Sequence, residues 1–229
     1  LAIGALGNDG NGSSSGHTRI YQWDSASSSW NQLGSDIDGE ADSDYSGRSV
    51  SLSSDGSVLA IGAYINDGNN GTHSGHTRIY AWNGSAWVQR GSDIDGEAAY
   101  DNSGQSVSLS SDGSILAIGA NENDGNGSYS GHVRVFSLDN TPPTIAVSSD
   151  VSSLKAGETA TLTFTLSESS SDFTVDDVSV SGGTLADFSG SGSSYSATFT
   201  PTADSTTDGV ISVASSTFSD SAGNSNADG

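Results

Sequence analysis

The chain has 229 residues, of which six are basic and 28 acidic, and its net charge at neutral pH is −22. This charge repels nucleic acid and anionic lipid, which excludes both as partners, and it attracts cations. The chain has no cysteine, which excludes disulfides and thiolate metal sites. No apolar run approaches the about 20 residues of a membrane helix, so we expect no direct membrane insertion of this segment.

Three stretches of the chain have nearly the same sequence. They begin at Leu1, Leu59 and Leu116, so the repeat has a period of 58 and then 57 residues. The shared text is LAIGALGNDGNGSSSGHTRIYQW at 1–23, LAIGAYINDGNNGTHSGHTRIYAW at 59–82 and LAIGANENDGNGSYSGHVRVF at 116–136. A period of this kind indicates that the chain is built from successive copies of one structural unit.

Each copy predicts β-strands. Only 32% of the residues are hydrophobic, and they occur in short alternating runs that are typical of strands. In the second copy the predicted strands are 49–53, 58–63, 75–82 and 86–90. The VLAIGA run at 58–63 suits a strand that is buried on both faces. Asp55-Gly56 predicts a type I′ hairpin turn, in which both central residues have positive φ.

Four antiparallel strands per period, without a helical pattern, predict a β-propeller blade. A solenoid is the alternative, although the period is long for one. Residues 1–138 supply three strands, one full blade and three further strands, whereas a closed ring needs about four to eight blades. We therefore expect a partial propeller whose other blades lie N-terminal to Leu1 or come from another chain, and a segment that belongs to a longer polypeptide.

A second domain follows the repeats. Pro142-Pro143 predicts an extended linker over 139–143. From 144 to 229, short alternating runs are separated by Gly, Asp and Ser clusters, with predicted strands at 144–148, 159–167, 175–181, 194–200 and 210–214. About seven short strands over roughly 85 residues are typical of a β-sandwich.

Both domains resemble known families. LAIGA, the Gly-rich loop and GHTRIY resemble the FG-GAP repeat of integrin α-chain-like propellers over residues 1–138. The Pro that follows Gly-Ala in that family is replaced by Leu6, Tyr64 and Asn121, and the family's calcium loop is shortened here to SSDGS. LTFTLSES, VDDVSVSGGTLADFSGSGSSYSATFTP and TFSDSAGN resemble the bacterial immunoglobulin-like domains of large surface adhesins, which implies a spacer module on an exported protein.

Acidic loops recur in the repeats. The DIDGE loops at 36–40 and 93–97 carry alternating carboxylates, which can direct several oxygens at one hard cation such as Ca²⁺. Turns in which Asp caps backbone N–H groups are the alternative. The Asn-Asp-Gly loops add a second set of carboxylates, with Asn11, Asn69 and Asn126 as neutral oxygen donors. The candidate ligands, with Ca²⁺ as the candidate ion, are Asp36, Asp38, Glu40, Asp93, Asp95, Glu97, Asp9, Asp67 and Asp124.

Two other residue types recur with the repeat. A Gly-His pair opens each third strand, at His17, His76 and His132. Because the repeat places these histidines on different blades, they cannot readily share one zinc ion, and we expect structural hydrogen bonds instead. The Trp residues recur in pairs, and we expect them to pack between blades; stacking on sugars is the alternative.

No nucleophile stands out with a base and an orienting group, and no phosphate loop or cofactor fingerprint is present, so we expect no enzyme activity. The sequence predicts an extracellular or cell-surface modular protein that acts in adhesion or in ligand or matrix binding. Its expected partner is a protein or glycan on a cell or matrix surface. The alternatives are a structural filament or surface-layer component that assembles with its own copies, and the accessory region of a secreted hydrolase.

Overall fold

The structure of the chain is a computed structural model that describes residues 1–155 and 157–227. In these residues strand follows strand, with a single short 3-10 helix between them, which confirms the predicted all-β class. No helix in these ranges is long and apolar enough to cross a lipid bilayer. The chain divides into two compact units, Leu1–Asp139 and Asn140–Gly229.

Three antiparallel sheets, one for each repeat, make up the first unit. Their strands are β1 (Ala2–Ala5), β2 (His17–Asp24), β3 (Ser29–Gln32), β4 (Ile37–Asp38), β5 (Ser49–Leu52), β6 (Val58–Ala63), β7 (His76–Trp82), β8 (Trp87–Gln89), β9 (Ile94–Asp95), β10 (Ser103–Leu109), β11 (Ile115–Ala120) and β12 (His132–Ser137). The second repeat has the order β5-β6-β7-β8, and the two-residue strand β9 also pairs with β7. The sequence predicted β9 only as part of an acidic loop. Closure of these sheets into a propeller stays a prediction.

Strand β6 is buried along its whole length. Leu59 and Ile61 belong to the apolar core between the first and second repeats, while Val58 and Ala60 belong to the core between the second and third. Successive side chains of a strand point to opposite faces, so a strand between two neighbouring sheets needs an apolar residue at nearly every position. The continuous VLAIGA run meets this need.

The turn between β5 and β6 is not the predicted type I′ turn. Gly56 has a φ of 75°, but Asp55 lies outside the positive-φ region. The Ser53 N–H donates to the Val58 carbonyl at 2.9 Å, which leaves four residues in the loop. Loops of this length form around a type I turn, whereas type I′ belongs to two-residue loops. The Asp55 carboxylate closes the loop by accepting a hydrogen bond from the Ser57 N–H at 3.0 Å.

Trp87 ties the second repeat to the first. Its indole N–H donates to the Leu33 carbonyl at 3.0 Å, and its ring packs against the core between the two repeats. Trp30, the equivalent residue of the first repeat, is 52% exposed. Trp87 therefore packs between repeats, as the sequence led us to expect, whereas both Trp residues of the first pair, Trp23 and Trp30, are about half exposed.

Substituting Trp87→Phe is expected to lower the free energy of unfolding of the first unit by about 1 kcal/mol, because the indole hydrogen bond to Leu33 is lost. The matched control is Trp30→Phe, for which we expect a change within about 0.5 kcal/mol, since the ring is exposed. Urea denaturation followed by circular dichroism measures both. Equal losses in the two variants would contradict a bonding role for Trp87 between the repeats.

The described residues of the second unit form two sheets. Their strands are β13 (Ile145–Ser149), β14 (Ala160–Ser170), β15 (Val178–Ser181), β16 (Gly183–Pro201) and β17 (Val210–Val213). The orders are β13-β14-β16 and β15-β17. The described residues thus form five strands where about seven were expected, since β16 runs unbroken for 19 residues.

The predicted strand at 175–181 begins instead as the 3-10 helix Val175–Asp177. The Asp177 carboxylate accepts a hydrogen bond from the Thr174 N–H at 2.7 Å, and this local bond competes with strand pairing. The buried residues of β14 do alternate as predicted. They pack into one core around Phe164, which is 0% exposed.

Candidate functional site

An open cleft of about 510 Å³ lies where the first repeat meets the second. His73 and His76 line it together with six carboxylates, three from each repeat: Glu40, Asp42, Asp44, Asp67, Asp93 and Asp95. Carboxylates gathered in one concave surface raise the local concentration of cations. The cleft is therefore the strongest candidate for a binding site in the first unit.

Strand pairing places the cleft residues. β9 pairs with the start of β7, which sets Asp95 opposite His76, and Asp93 lies just before β9. Glu40 follows β4 in the first repeat. The DIDGE loops of two successive repeats thus meet at one junction, which the sequence did not predict. The sequence offered each loop as a separate candidate site, with a capped turn as the alternative.

His76, Glu40 and Asp93 form the centre of this junction. His76 Nδ1 lies 3.4 Å from an oxygen of Asp93 and 3.7 Å from an oxygen of Glu40. The His76 side chain is 2% exposed, whereas the two carboxylates reach the open cleft. His76 Nε2 is buried without a hydrogen-bond partner, so the structural hydrogen bond expected for this histidine is missing at that atom.

Arg78 brings the nearest guanidinium to the junction. Its Nη2 donates to the Asp38 carbonyl at 2.7 Å, and its Nη1 lies 3.6 Å from a Glu40 oxygen. The guanidinium therefore joins the second repeat to the backbone of the first and faces one edge of Glu40. It leaves Asp93 and the other Glu40 oxygen turned towards His76.

Burial sets the protonation of this centre. It raises the pKa of Glu40 above its ordinary value, against the opposing effect of Arg78. Burial also lowers the pKa of His76, and this outweighs the attraction of Asp93, which favours the charged imidazolium. A neutral imidazole beside two carboxyl groups follows. This is the form of His that binds metal ions.

The other repeats carry parts of the same arrangement. His17 Nδ1 lies 3.5 Å from an oxygen of Asp36, as His76 does from Asp93. His132 Nδ1 lies 3.5 Å from an oxygen of Glu97, as His76 does from Glu40. Asp36 also forms an ion pair with Arg19 at 2.8 Å. Hydrogen bonds from this guanidinium lower the pKa of the Asp36 carboxyl to about 2.

The aspartates of the Asn-Asp-Gly loops, which were candidate ligands, accept backbone hydrogen bonds within their own loops. Asp9 accepts a hydrogen bond from the Ser14 N–H at 2.7 Å, Asp67 from the His73 N–H at 2.9 Å, and Asp124 from the Tyr129 N–H at 2.6 Å. This is the turn geometry that the sequence offered as the alternative to metal binding. Only Asp67 of these three lines the cleft.

Asn11 and Asn69 were proposed as neutral oxygen ligands, but their side-chain amides donate hydrogen bonds. The amide nitrogen of Asn11 donates to the Gly39 carbonyl at 2.9 Å, and that of Asn69 donates to the Asp95 carboxylate at 2.9 Å. These contacts fasten each loop to the DIDGE loop beside it.

Of the histidines and carboxylates that line the cleft, four were not among the candidate site residues: His73, His76, Asp42 and Asp44. Asp44 is 3% exposed and accepts hydrogen bonds from the N–H groups of Glu40 and Ala41. The recurring Gly-His pair was the signal for His76. Its proximity to the loop of the preceding repeat could be found only from the packing of the sheets.

Comparison with known families agrees with this architecture. The family model of the FG-GAP repeat matches residues 36–80 and 93–136, and that of the bacterial Ig-like domain matches residues 139–229. The chain joins FG-GAP repeats to a bacterial Ig-like domain. No curated protein matches the chain.

The presence of these two domain families indicates a modular protein of the cell surface or the extracellular space. Both are binding-type domains without catalytic function. FG-GAP repeats often bind calcium. In this chain the acidic cleft lies between two FG-GAP repeats and outside the shortened SSDGS turn, where the resemblance would place a calcium loop.

Proposed function

We propose that this chain is part of an adhesive protein that binds a protein or glycan on a cell or matrix surface, and that Ca²⁺ bound in the acidic cleft stabilises its FG-GAP repeats. The observation that carries the proposal is the meeting of six carboxylates from two repeats in one open cleft. Repulsion among them weakens the junction, and a divalent cation would turn this repulsion into attraction.

The bacterial Ig-like domain supports the adhesive role as a spacer. Its sandwich core is apolar and aromatic, and two of its carboxylates hold hydrogen bonds within the domain: Asp172 accepts them from Ser219, and Asp177 from Thr174. Such a domain suits carrying a binding module away from a surface. Recognition of the partner is therefore assigned to the repeats.

The calcium proposal is tested by thermal unfolding after removal of divalent ions. We expect millimolar Ca²⁺ to raise the Tm by ~5 °C, since an ion that binds only the folded state stabilises it by mass action. The double substitution Asp42→Asn and Asp95→Asn should abolish most of this rise, because both carboxylates line the cleft. Asp187→Asn, in the bacterial Ig-like domain, is the matched control. An unchanged Tm, or an equal rise with NaCl at matched ionic strength, would contradict bound calcium.

Adhesion is tested by binding of the purified chain to glycan arrays and to cell or matrix surfaces, with Ca²⁺ and with chelator. Saturable binding that chelator weakens supports the proposal. Ordered self-assembly without surface binding would contradict it and favour a structural filament or surface layer instead.

A further inference from the structure

We propose that His76, Glu40 and Asp93 form a site for one transition-metal ion of the Zn²⁺ type at the junction of the first two FG-GAP repeats. This site shares the acidic cleft but does not rest on calcium binding, because it depends on an imidazole nitrogen. Ca²⁺ takes oxygen ligands, whereas imidazole with carboxylates suits Zn²⁺ and its neighbours in the first transition row.

The distances fit a small tetrahedral ion. One ligand atom from each of the three residues lies within 4.8 Å of the other two, and His76 Nδ1 is 3.4 Å from Asp93 and 3.7 Å from Glu40. Two ligands held at about 2.0–2.2 Å from a tetrahedral Zn²⁺ stand roughly 3.3–3.6 Å apart. The distances from His76 to both carboxylates are thus close to these values, and the open cleft leaves the fourth position to water.

His76 is the observation that separates this site from an ordinary acidic patch. Its side chain is 2% exposed, its Nε2 has no hydrogen-bond partner, and its Nδ1 is aimed at both carboxylates. A metal ion would bind Nδ1, the nitrogen that faces the two carboxylates.

The guanidinium beside this cluster does not occupy the proposed site. Arg78 faces Glu40 from one edge and donates to the Asp38 carbonyl, so it holds the junction without filling the space between His76 and Asp93.

The three repeats differ in which carboxylates lie beside the histidine. His17 has the carboxylate of its own repeat, Asp36, and His132 has that of the preceding repeat, Glu97. Of these three histidines, only His76 has both kinds of partner within 4 Å. The ligands come from two repeats, so the ion would fix the spacing of the junction.

Zinc binding is tested on the full chain after metal removal, by calorimetric titration with ZnCl₂ and by visible absorption with Co²⁺. We expect one ion per chain, the absorption of tetrahedral Co²⁺, and a shift of the His76 ring ¹⁵N resonances on adding Zn²⁺. Glu40→Gln should weaken binding at least about tenfold. Its side chain is 43% exposed, so this variant is expected to fold. His76→Gln should abolish binding, and His73→Gln, a histidine of the same cleft outside the cluster, is the matched control.

Zinc binding that is unaffected by Glu40→Gln, that is lost equally in His73→Gln, or that is no tighter than Ca²⁺ binding would overturn the proposal. The two proposals fail separately. A Ca²⁺-dependent rise in Tm that persists in His76→Gln leaves calcium binding intact, and 1:1 Zn²⁺ binding without any response to Ca²⁺ leaves the zinc site intact.

Discussion

Replacing Gly62 by alanine is expected to lower the free energy of unfolding of the FG-GAP unit by about 3 kcal/mol. Gly62 lies in β6, the strand buried between two neighbouring repeats, and a Cβ atom there would collide with the backbone carbonyl of Gly104 in the third repeat. A backbone oxygen cannot rotate away as a side chain can. The two repeats would have to separate, which would disturb the apolar core between them.

The matched control is Gly119→Ala, at the same place in the third repeat. There the new Cβ would meet chiefly the hydroxyl of Ser106, a side chain that can turn aside. We expect a loss below about 1 kcal/mol. Urea denaturation followed by Trp fluorescence measures both variants, because all four Trp residues lie in the FG-GAP unit. Equal losses would show that the requirement for glycine comes from the strand itself and not from contact between repeats.

Gly62 also shows what the repeated sequence could reveal. The LAIGA text recurs three times, and its apolar residues predicted a strand buried on both faces, which β6 confirms. The repeat fixed the strand positions because a strand needs only local alternation and local turns. A glycine also stands at the same place in each copy. Which atom approaches that glycine depends on how one sheet packs on the next.

The cleft was predictable only in part, for the same reason. The DIDGE loops were recognised as acidic, and four of the six carboxylates that line the cleft were candidate ligands: Glu40, Asp67, Asp93 and Asp95. The pairing of Glu40 with His76 and Asp93 was not predicted. It joins residues of two repeats that are distant in sequence, and no local pattern encodes the packing of two sheets.

The bacterial Ig-like domain shows a second limit. Alternation located the buried face of β14 correctly, yet the strand count was too high. A strand was predicted only at 194–200, but β16 begins at Gly183 and continues through Gly190 and Gly192 with φ of 140° and 65°. Glycine permits such backbone without ending a strand, so its presence alone does not locate a boundary.

Phe164→Ala is expected to lower the free energy of unfolding of the bacterial Ig-like domain by about 4 kcal/mol. Phe164 is 0% exposed in β14, and its ring lies 5.9 Å from that of Phe173 and 5.8 Å from that of Phe188, measured between centroids. Truncation removes the most buried ring of this aromatic cluster and leaves a cavity that the long paired strands cannot close. The control is Val147→Ala, opposite Phe164 in β13, whose side chain is already 36% exposed. We expect it to cost about 1 kcal/mol or less.

The placement of aromatic residues lets each unit be followed separately. Every Trp lies before residue 140, and Tyr195 is the single tyrosine after it. Its hydroxyl donates to the Ser170 carbonyl at 3.0 Å within the Ig-like core, so the environment of this ring reports on that domain. If the two compact units unfold independently, Phe164→Ala shifts the urea midpoint seen by NMR of Tyr195 and leaves the midpoint seen by Trp fluorescence unchanged. An equal shift in both signals would mean that the FG-GAP repeats depend on the Ig-like core for their stability.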